Sequence, residues 1–145
     1  MKLSRSEQRE QAFAIVFERI FNNVSIDELL SHAVEARDLT IGDYARTAAN
    51  GVDAHLEEID AAIEKFAVGW QKKRISKVSL AILRLAVYEM RYEADVPVSV
   101  AINEAVELSK KYASTEDASF VNGLLGSLAR SDAAKSAEKT EEAAQ

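Results

Sequence analysis

Apolar residues recur at intervals of three or four along nearly the whole chain, a spacing typical of helices with one buried face. The first predicted helix opens at Ser4 and runs to about Asn22, because Ser4 and Glu7 form a capping box that satisfies amides of the first turn. Ser25 and Glu28 repeat this arrangement for a second, short helix. The predicted inward positions are Ala12, Phe13, Val16, Phe17, Ile20, Ile26, Leu29, Leu30 and Ala33.

The segment from Thr40 to Phe66 has the same amphipathic spacing. Gly51 lies inside it and offers a break, so the segment is predicted as either one helix or two. Near the C-terminal end, Ser114 and Asp117 predict a further capping box that opens a last helix. One proline and five glycines leave few residues for the turns of a sheet. The predicted fold class is therefore all-α.

The segment from Ile75 to about Glu93 differs, because apolar side chains surround its axis on almost every side. A helix of this kind is expected to be buried at the centre of the fold. Pro97 ends it, since the residue before a proline avoids helical geometry. Ser99 is predicted to cap the helix that follows.

One charged side chain, Arg84, lies within this apolar segment. A buried arginine is costly unless an acidic group pairs with it. The predicted partner of Arg84 is Glu104 or Glu89.

The chain changes character after Arg130, where no large apolar residue follows. A segment of this composition cannot bury enough surface to offset the entropy lost on ordering. Residues 131–145 are therefore predicted to form a disordered, alanine-rich charged tail with passing helicity. Residues 1–130 are predicted to form a single domain.

Composition narrows the class of protein further. The net charge is −6, and no cysteine is present, which excludes disulfides and thiolate metal sites. No apolar stretch approaches the roughly 18 residues of a membrane span, and no secretory signal opens the chain. A cytoplasmic location is expected. A protein this acidic would need a local basic patch, or a partner, to bind nucleic acid.

Neither a metal site nor a catalytic centre is predicted. The histidines, His32 and His55, lack the glutamate three residues earlier that di-iron helical bundles use. Most serines lie at helix starts, where capping explains them. No glycine-flanked serine elbow or phosphate-binding glycine loop is present, so no cofactor is expected.

Basic and aromatic residues remain as candidates for binding RNA. Arg5 and Arg9 are four residues apart and would share a helix face, and residues 72–77 hold the densest basic cluster. The alternative for both groups is an ordinary solvated surface. Phe120 is interpreted either as a ring that stacks on an RNA base or as a core residue at the start of the last helix. The candidate RNA-contacting residues are Lys2, Arg5, Arg9, Lys72, Lys73, Arg74 and Phe120.

Several sequence tracts occur in a set order: Arg-Glu-Gln-Ala-Phe at 9–13, Trp70 ahead of Arg74-Ile75, Ile-Leu-Arg-Leu-Ala-Val-Tyr-Glu at 82–89, Val96-Pro97, Ala-Ile-Asn-Glu-Ala-Val-Glu at 101–107, and Phe-Val-Asn-Gly at 120–123. In content and order they resemble the NusB family of transcription antitermination factors. The resemblance covers about residues 4–130.

This resemblance implies a compact bundle of about seven helices without catalytic activity. Family members bind the single-stranded boxA element of nascent ribosomal RNA leaders jointly with NusE, a small-subunit ribosomal protein. The pair joins the RNA polymerase antitermination complex, which reads through terminators in ribosomal RNA operons. Some members also form homodimers, so a homodimer is a further expectation.

The chain departs from the family pattern at several positions. Ser6, Glu7 and Gln8 interrupt what is often a dense arginine run, and Ser119 stands where lysine is common. Ser79 aligns with a position that faces NusE. We hypothesise that the basic residues at 72–77 compensate for the sparse N-terminal arginines.

Two other functions compete with antitermination. NusB-like domains also form the N-terminal module of some ribosomal RNA cytosine methyltransferases, and this chain ends without a cofactor-binding α/β domain, so it is expected at most as a free-standing relative of these. The second alternative is a helical adaptor that binds a protein partner and no specific RNA.

Overall fold

The described part of the chain is mostly helical. The computed structural model describes residues 2–37, 40–67 and 75–144, with side chains for all of them except 37 and 137–144. These residues contain seven helices and no strand, which confirms the predicted all-α class. None of the seven is long and apolar enough to cross a bilayer. They are α1 (Arg5–Phe21), α2 (Ile26–Arg37), α3 (Asp43–Ala54), α4 (Leu56–Phe66), α5 (Lys77–Tyr92), α6 (Val98–Tyr112) and α7 (Thr115–Ala144).

Three helices begin where the capping patterns predict. Before α1, Ser4 Oγ accepts from the amide of Glu7 at 3.0 Å, and the Glu7 carboxylate accepts from the amide of Ser4 at 3.0 Å. Ser25 Oγ and Ser114 Oγ accept in the same way from the amide three residues later, at 3.1 and 3.0 Å. Each hydroxyl satisfies an amide that has no partner within the first turn of its helix.

Helix α5 lies at the centre of the bundle, as its all-round apolar pattern predicts. Ten of its sixteen residues are buried. It packs against α1, α3, α4, α6 and α7. Removing each large aliphatic side chain from water contributes about 1.5–3 kcal/mol, so α5 supplies much of the hydrophobic stabilisation.

Gly51 lies within α3 and does not break it. Helix α3 continues to Ala54, and the chain turns at His55 before α4 begins. A Cβ atom at Gly51 would lie 2.2 Å from Cε1 of Tyr88, whose side chain is 5% exposed. The glycine therefore allows α3 and α5 to approach each other closely.

The start of α6 differs from the prediction by two residues. The helix begins at Val98 with Pro97 as its N-cap, and Ser99 lies in the first turn. The Pro97 carbonyl accepts from the amides of Val100 and Ala101 at 3.0 and 3.1 Å. Proline suits this position because its fixed φ is compatible with a helix start and its missing N–H would have no partner there.

The predicted partners of Arg84 were wrong. Its guanidinium donates two hydrogen bonds of 2.9 Å to the Asp60 carboxylate on α4. Helix α4 packs on this side of α5, whereas Glu89 and Glu104 pair with Arg9 on the α1 side. The sequence indicates that a partner is needed, but the packing of the helices selects it.

Helix α7 continues over residues 131–144, the segment that composition assigns to a tail. Asp132, the second residue of this segment, accepts two hydrogen bonds from Arg91 of α5, at 3.0 and 3.1 Å. This ion pair fastens the beginning of the segment to the bundle. Disorder of the tail in solution stays a prediction.

Candidate nucleic-acid interface

The N-terminal end of α1 presents two basic side chains, Lys2 and Arg5. Both are exposed, with Lys2 just ahead of the helix and Arg5 at its first position. The Ser4 cap fixes where the helix starts and therefore where Arg5 projects. The backbone hydrogen bond from Ser4 holds the pKa of Glu7 below its usual value, so Glu7 stays negatively charged in the first turn of α1.

Arg5 rests on an aromatic ring. Its guanidinium carbon lies over the ring of Tyr44, 3.8 Å from the ring centroid. This distance is well within the range of a cation–π contact, which at an exposed site is worth about 0.5–1 kcal/mol. The contact limits the directions that this long side chain can take.

Two glutamines of α1 position Tyr44. Gln8 Oε1 accepts from the Tyr44 amide at 2.9 Å, and Gln11 Oε1 accepts from the Gly42 amide at 3.1 Å. No side chain of the N-cap residue Gly42 can satisfy these amides, so α1 caps α3 across the helix interface. Gln8, which interrupts the expected arginine run, thus has a clear structural role.

Arg9 is not on the surface, and its interpretation as an RNA contact is corrected. Its side chain is 3% exposed, and its Nε donates to both carboxylate oxygens of Glu89 at 2.9 Å. Glu104 lies 3.4 Å from the guanidinium and also accepts from Ser6 at 2.9 Å. Arg9 lies on the same face as Arg5 but one helical turn further along α1, where this helix packs against α5. Its pairing makes it a structural ion.

Tyr44 joins the buried ion pair to the surface. Its hydroxyl donates to Glu89 Oε2, while its ring carries Arg5. Burial and the hydrogen bond to Glu89 raise the pKa of Tyr44 far above its ordinary value, so the phenol stays protonated and remains a donor. Burial raises the pKa of Glu89, against the opposing effects of the Tyr44 and Arg9 hydrogen bonds.

An open groove lies between the start of α1 and the turn that leads into α6. Arg5 and the buried Arg9 line it on the α1 side, and the exposed Asp95 stands at its rim on the side of the turn. The floor is apolar, because Val96 and Val100 line it. Val96 is buried and Val100 is 39% exposed. The lining residues are Arg5, Arg9, Asp95, Val96, Pro97 and Val100. The combination of a cation, an anion and an apolar floor was not evident in the sequence, since the groove joins segments about ninety residues apart.

The remaining predicted contacts lie elsewhere. Lys72, Lys73 and Arg74, with Trp70, fall outside the described residues. Phe120 is half-buried on α7 and packs against the hydrophobic core, as the structural alternative expects. Ser79, aligned with a partner-facing position, is 1% exposed.

Sequence reasoning missed a second polar cluster, between α1 and the end of α6. Glu10 accepts from Lys111 Nζ at 2.6 Å and from the Tyr112 hydroxyl. The hydrogen bond from Lys111 is the main reason that the pKa of Glu10 lies below its usual value. Tyr112 also contacts the Phe13 ring, with centroids 5.1 Å apart. The pairing of Lys111 with Glu10 neutralises a lysine that the sequence alone would count as free.

Comparison with known proteins places this geometry in context. The family model described as "NusB family" matches residues 6–130. The transcription antitermination protein NusB of Acetivibrio thermocellus is 45% identical over 130 residues, which cover 88% of this chain and 90% of that protein.

Solved structures agree with the family model. The chain resembles NusB in a crystal structure of the antitermination factors NusB and NusE in complex with dsRNA, with a TM-score of 0.78 and 28% identity over 88% of this chain and 96% of the other. NusB from Aquifex aeolicus, solved in solution, gives a TM-score of 0.78 at 30% identity and 91% coverage of both chains. The family match over nearly all of the predicted domain and the matching helical architecture lead to one conclusion: this chain belongs to the NusB family of transcription antitermination factors.

Proposed function

We propose that this chain binds the boxA element of nascent ribosomal RNA leaders together with NusE, as part of the RNA polymerase antitermination complex. The pair would help the polymerase read through terminators in ribosomal RNA operons. The observation that carries the proposal is the likeness, across almost the whole of the matched chain, to a NusB solved with NusE and RNA.

The local geometry supports an RNA surface at the start of α1. Lys2 and Arg5 are exposed there, and neither has a carboxylate partner among its described contacts. Arg5 borders a groove wide enough to be entered from solvent. Cationic side chains beside such a groove supply the salt-dependent part of RNA affinity.

The charge of the whole chain explains why a partner is part of the proposal. A net charge of −6 repels a polyanion, and Arg9 is held in the core. Two exposed cations contribute few phosphate contacts, so RNA binding by this chain alone is expected to be weak. A second protein that extends the basic surface would raise the affinity.

The test is fluorescence anisotropy of a labelled boxA-type RNA at physiological salt, with this chain alone, with NusE alone and with both. We expect tight binding only with both proteins, and loss of binding when the RNA sequence is scrambled. Equal affinity for the scrambled RNA would contradict sequence-specific recognition.

The alternative is a helical adaptor that binds a protein without specific RNA recognition. Phe21 at the end of α1 favours it, since this ring is 60% exposed and packs edge-on against Phe17. In the anisotropy experiment, an adaptor would bind NusE and leave the RNA signal unchanged. Sedimentation of the chain alone would also show whether it forms the homodimer found in some relatives.

A further inference from the structure

We infer that the groove between α1 and the α5–α6 turn is a subsite for one unpaired RNA base, stacked on the guanidinium of Arg5. Tyr44 acts as the positioning residue that holds Arg5 in place for this contact. The inference rests on the proposed function, and it assigns to Arg5 the role of a flat stacking surface in addition to that of a charge.

The contact of Arg5 with Tyr44 is the first observation. The guanidinium carbon lies over the ring, 3.8 Å from its centroid, while the side chain as a whole remains exposed and borders the groove. A guanidinium is planar and weakly hydrated, and it stacks on aromatic faces and on nucleobases. The face turned away from Tyr44 is therefore available to a base in the groove.

The composition of the groove is the second observation. A phosphate in it would meet the Asp95 carboxylate on the rim and an apolar floor of Val96, Pro97 and Val100. The guanidinium of Arg5 attracts an anion, whereas that of Arg9 is already paired with Glu89. The Asp95 carboxylate repels an anion, and the apolar floor offers it no hydrogen-bond donor. An uncharged base has apolar faces for the floor and N–H groups that a carboxylate accepts.

Tyr44 is held firmly enough to act as a platform. Its amide is bound by Gln8 at 2.9 Å, and its hydroxyl donates to the buried Glu89. The ring therefore cannot turn away without breaking a hydrogen bond to a carboxylate that is 1% exposed. Arg5 is ordered by this platform before RNA arrives, which reduces the entropy lost on binding.

The experiment separates stacking from charge by comparing Arg5→Lys with Arg5→Ala. Anisotropy is measured at several salt concentrations with NusE present, using a single-stranded boxA-type RNA and a series in which one base at a time is replaced by an abasic site. We expect Arg5→Lys to weaken binding about fivefold with an unchanged salt slope. Arg5→Ala should weaken it further and lower the slope by about 0.7.

The abasic series identifies the base. One abasic position should weaken wild-type binding about tenfold and have little effect on Arg5→Lys, because the stacking partner is already lost. Wild-type affinity in Arg5→Lys, or an abasic effect that is the same in both proteins, would overturn the inference and leave the proposed function standing. Failure of the wild-type protein with NusE to bind the RNA would overturn both.

Two further variants test the platform and the rim. Tyr44→Phe keeps the ring but loses its anchor to Glu89, so it should weaken binding only slightly. Tyr44→Leu removes the ring and should reproduce Arg5→Lys, and circular dichroism checks the folding of both variants. Asp95 is exposed, so Asp95→Ala is expected to leave the fold intact. If Asp95 accepts a hydrogen bond from the base, Asp95→Ala weakens binding about tenfold. Tighter RNA binding by Asp95→Ala would show that a phosphate or an acidic side chain of a protein occupies the groove, and would overturn the inference.

Discussion

Arg9 and Glu89 are the charged residues that are buried among those the structure describes, with side chains 3% and 1% exposed. Each would be strongly destabilising alone, because a charge removed from water needs a partner of opposite sign. Their mutual hydrogen bonds, the hydrogen bond from Tyr44 and the ion pair with Glu104 satisfy the two charges. At the residue scale, this cluster ties α1, α3, α5 and α6 together at one point.

Glu89→Gln is predicted to lower the free energy of unfolding by about 3–5 kcal/mol, since it leaves the buried Arg9 without its principal counter-charge. Glu104→Gln is the matched control, because Glu104 lies 3.4 Å from Arg9 and is 29% exposed. It should cost less than about 1 kcal/mol. Urea unfolding of both variants measures the difference, and equal costs would show that the Arg9–Glu89 contact is not the main one.

Glu10 predicts a pH dependence of stability. The hydrogen bonds from Lys111 and Tyr112 lower its pKa in the folded state below the ordinary value of 4.5. The folded state then binds a proton less readily than the unfolded one, so the stabilisation is present above about pH 4.5 and is lost as the pH falls through the lowered pKa.

The measurement is urea unfolding of the wild-type protein and Glu10→Gln at a series of pH values. The wild-type advantage should be about 0.5 kcal/mol at pH 7, because the pair is largely exposed, and should disappear in acid. It should also shrink in about 1 M salt, which screens the pair. An advantage that grows as the pH falls would contradict the assignment.

At the scale of elements, the approach of α3 to α5 is set by one missing side chain. Helix α3 passes Tyr88 of α5 at Gly51, where a Cβ would lie 2.2 Å from the ring. The ring cannot easily give way, because it is 5% exposed and its hydroxyl donates to Glu93 at 2.5 Å. The pairing of α3 with α5, and with it the place of Tyr44, depends on this glycine.

Gly51→Ala is therefore predicted to destabilise the fold by about 1–3 kcal/mol, as overpacking of a filled core does. Gly123→Ala is the control, because no atom lies within 4 Å of a Cβ at that position of α7. Alanine is the better helix former, so this variant should be stabilised by up to about 1 kcal/mol. Thermal unfolding compares the two, and equal shifts of the same sign would argue against the close approach.

At the scale of the whole molecule, a net charge of −6 opposes RNA binding, so RNA affinity depends on where cations cluster on the surface. The structure removes Arg9 from the basic surface and pairs Lys111 with Glu10. At the start of α1, Lys2 and Arg5 remain exposed as candidate phosphate contacts. The basic cluster at 72–77 stays a hypothesis for additional phosphate contacts.

That hypothesis predicts the behaviour of Lys72→Ala/Lys73→Ala. Each lost phosphate contact should lower the salt slope of RNA binding by about 0.7 on a single strand. The slope is obtained from anisotropy titrations with NusE at several salt concentrations. An unchanged slope and affinity would remove both lysines from the interface. Glu57→Ala and Glu58→Ala, on the exposed face of α4, serve as controls for a change in surface charge elsewhere.

The sequence by itself determined the all-helical class, the starts of α1, α2 and α7, and the central place of α5. It also carried the family resemblance. These follow from interactions within a few residues: capping hydroxyls reach an amide three positions away, and helical periodicity distributes apolar side chains around each axis. Such patterns can be read from a short stretch of sequence without knowledge of the rest of the fold.

Only the tertiary structure decided which charged groups meet and which face solvent. Arg9 pairs with a glutamate 80 residues away, and Arg84 takes Asp60 instead of the two glutamates predicted for it. Arg5 and Arg9 share a helix face by spacing, yet one rests on an exposed ring and the other is buried. The reason is physical: a carboxylate or an aromatic ring becomes a neighbour only when helices pack, and packing depends on the shapes of all their faces at once.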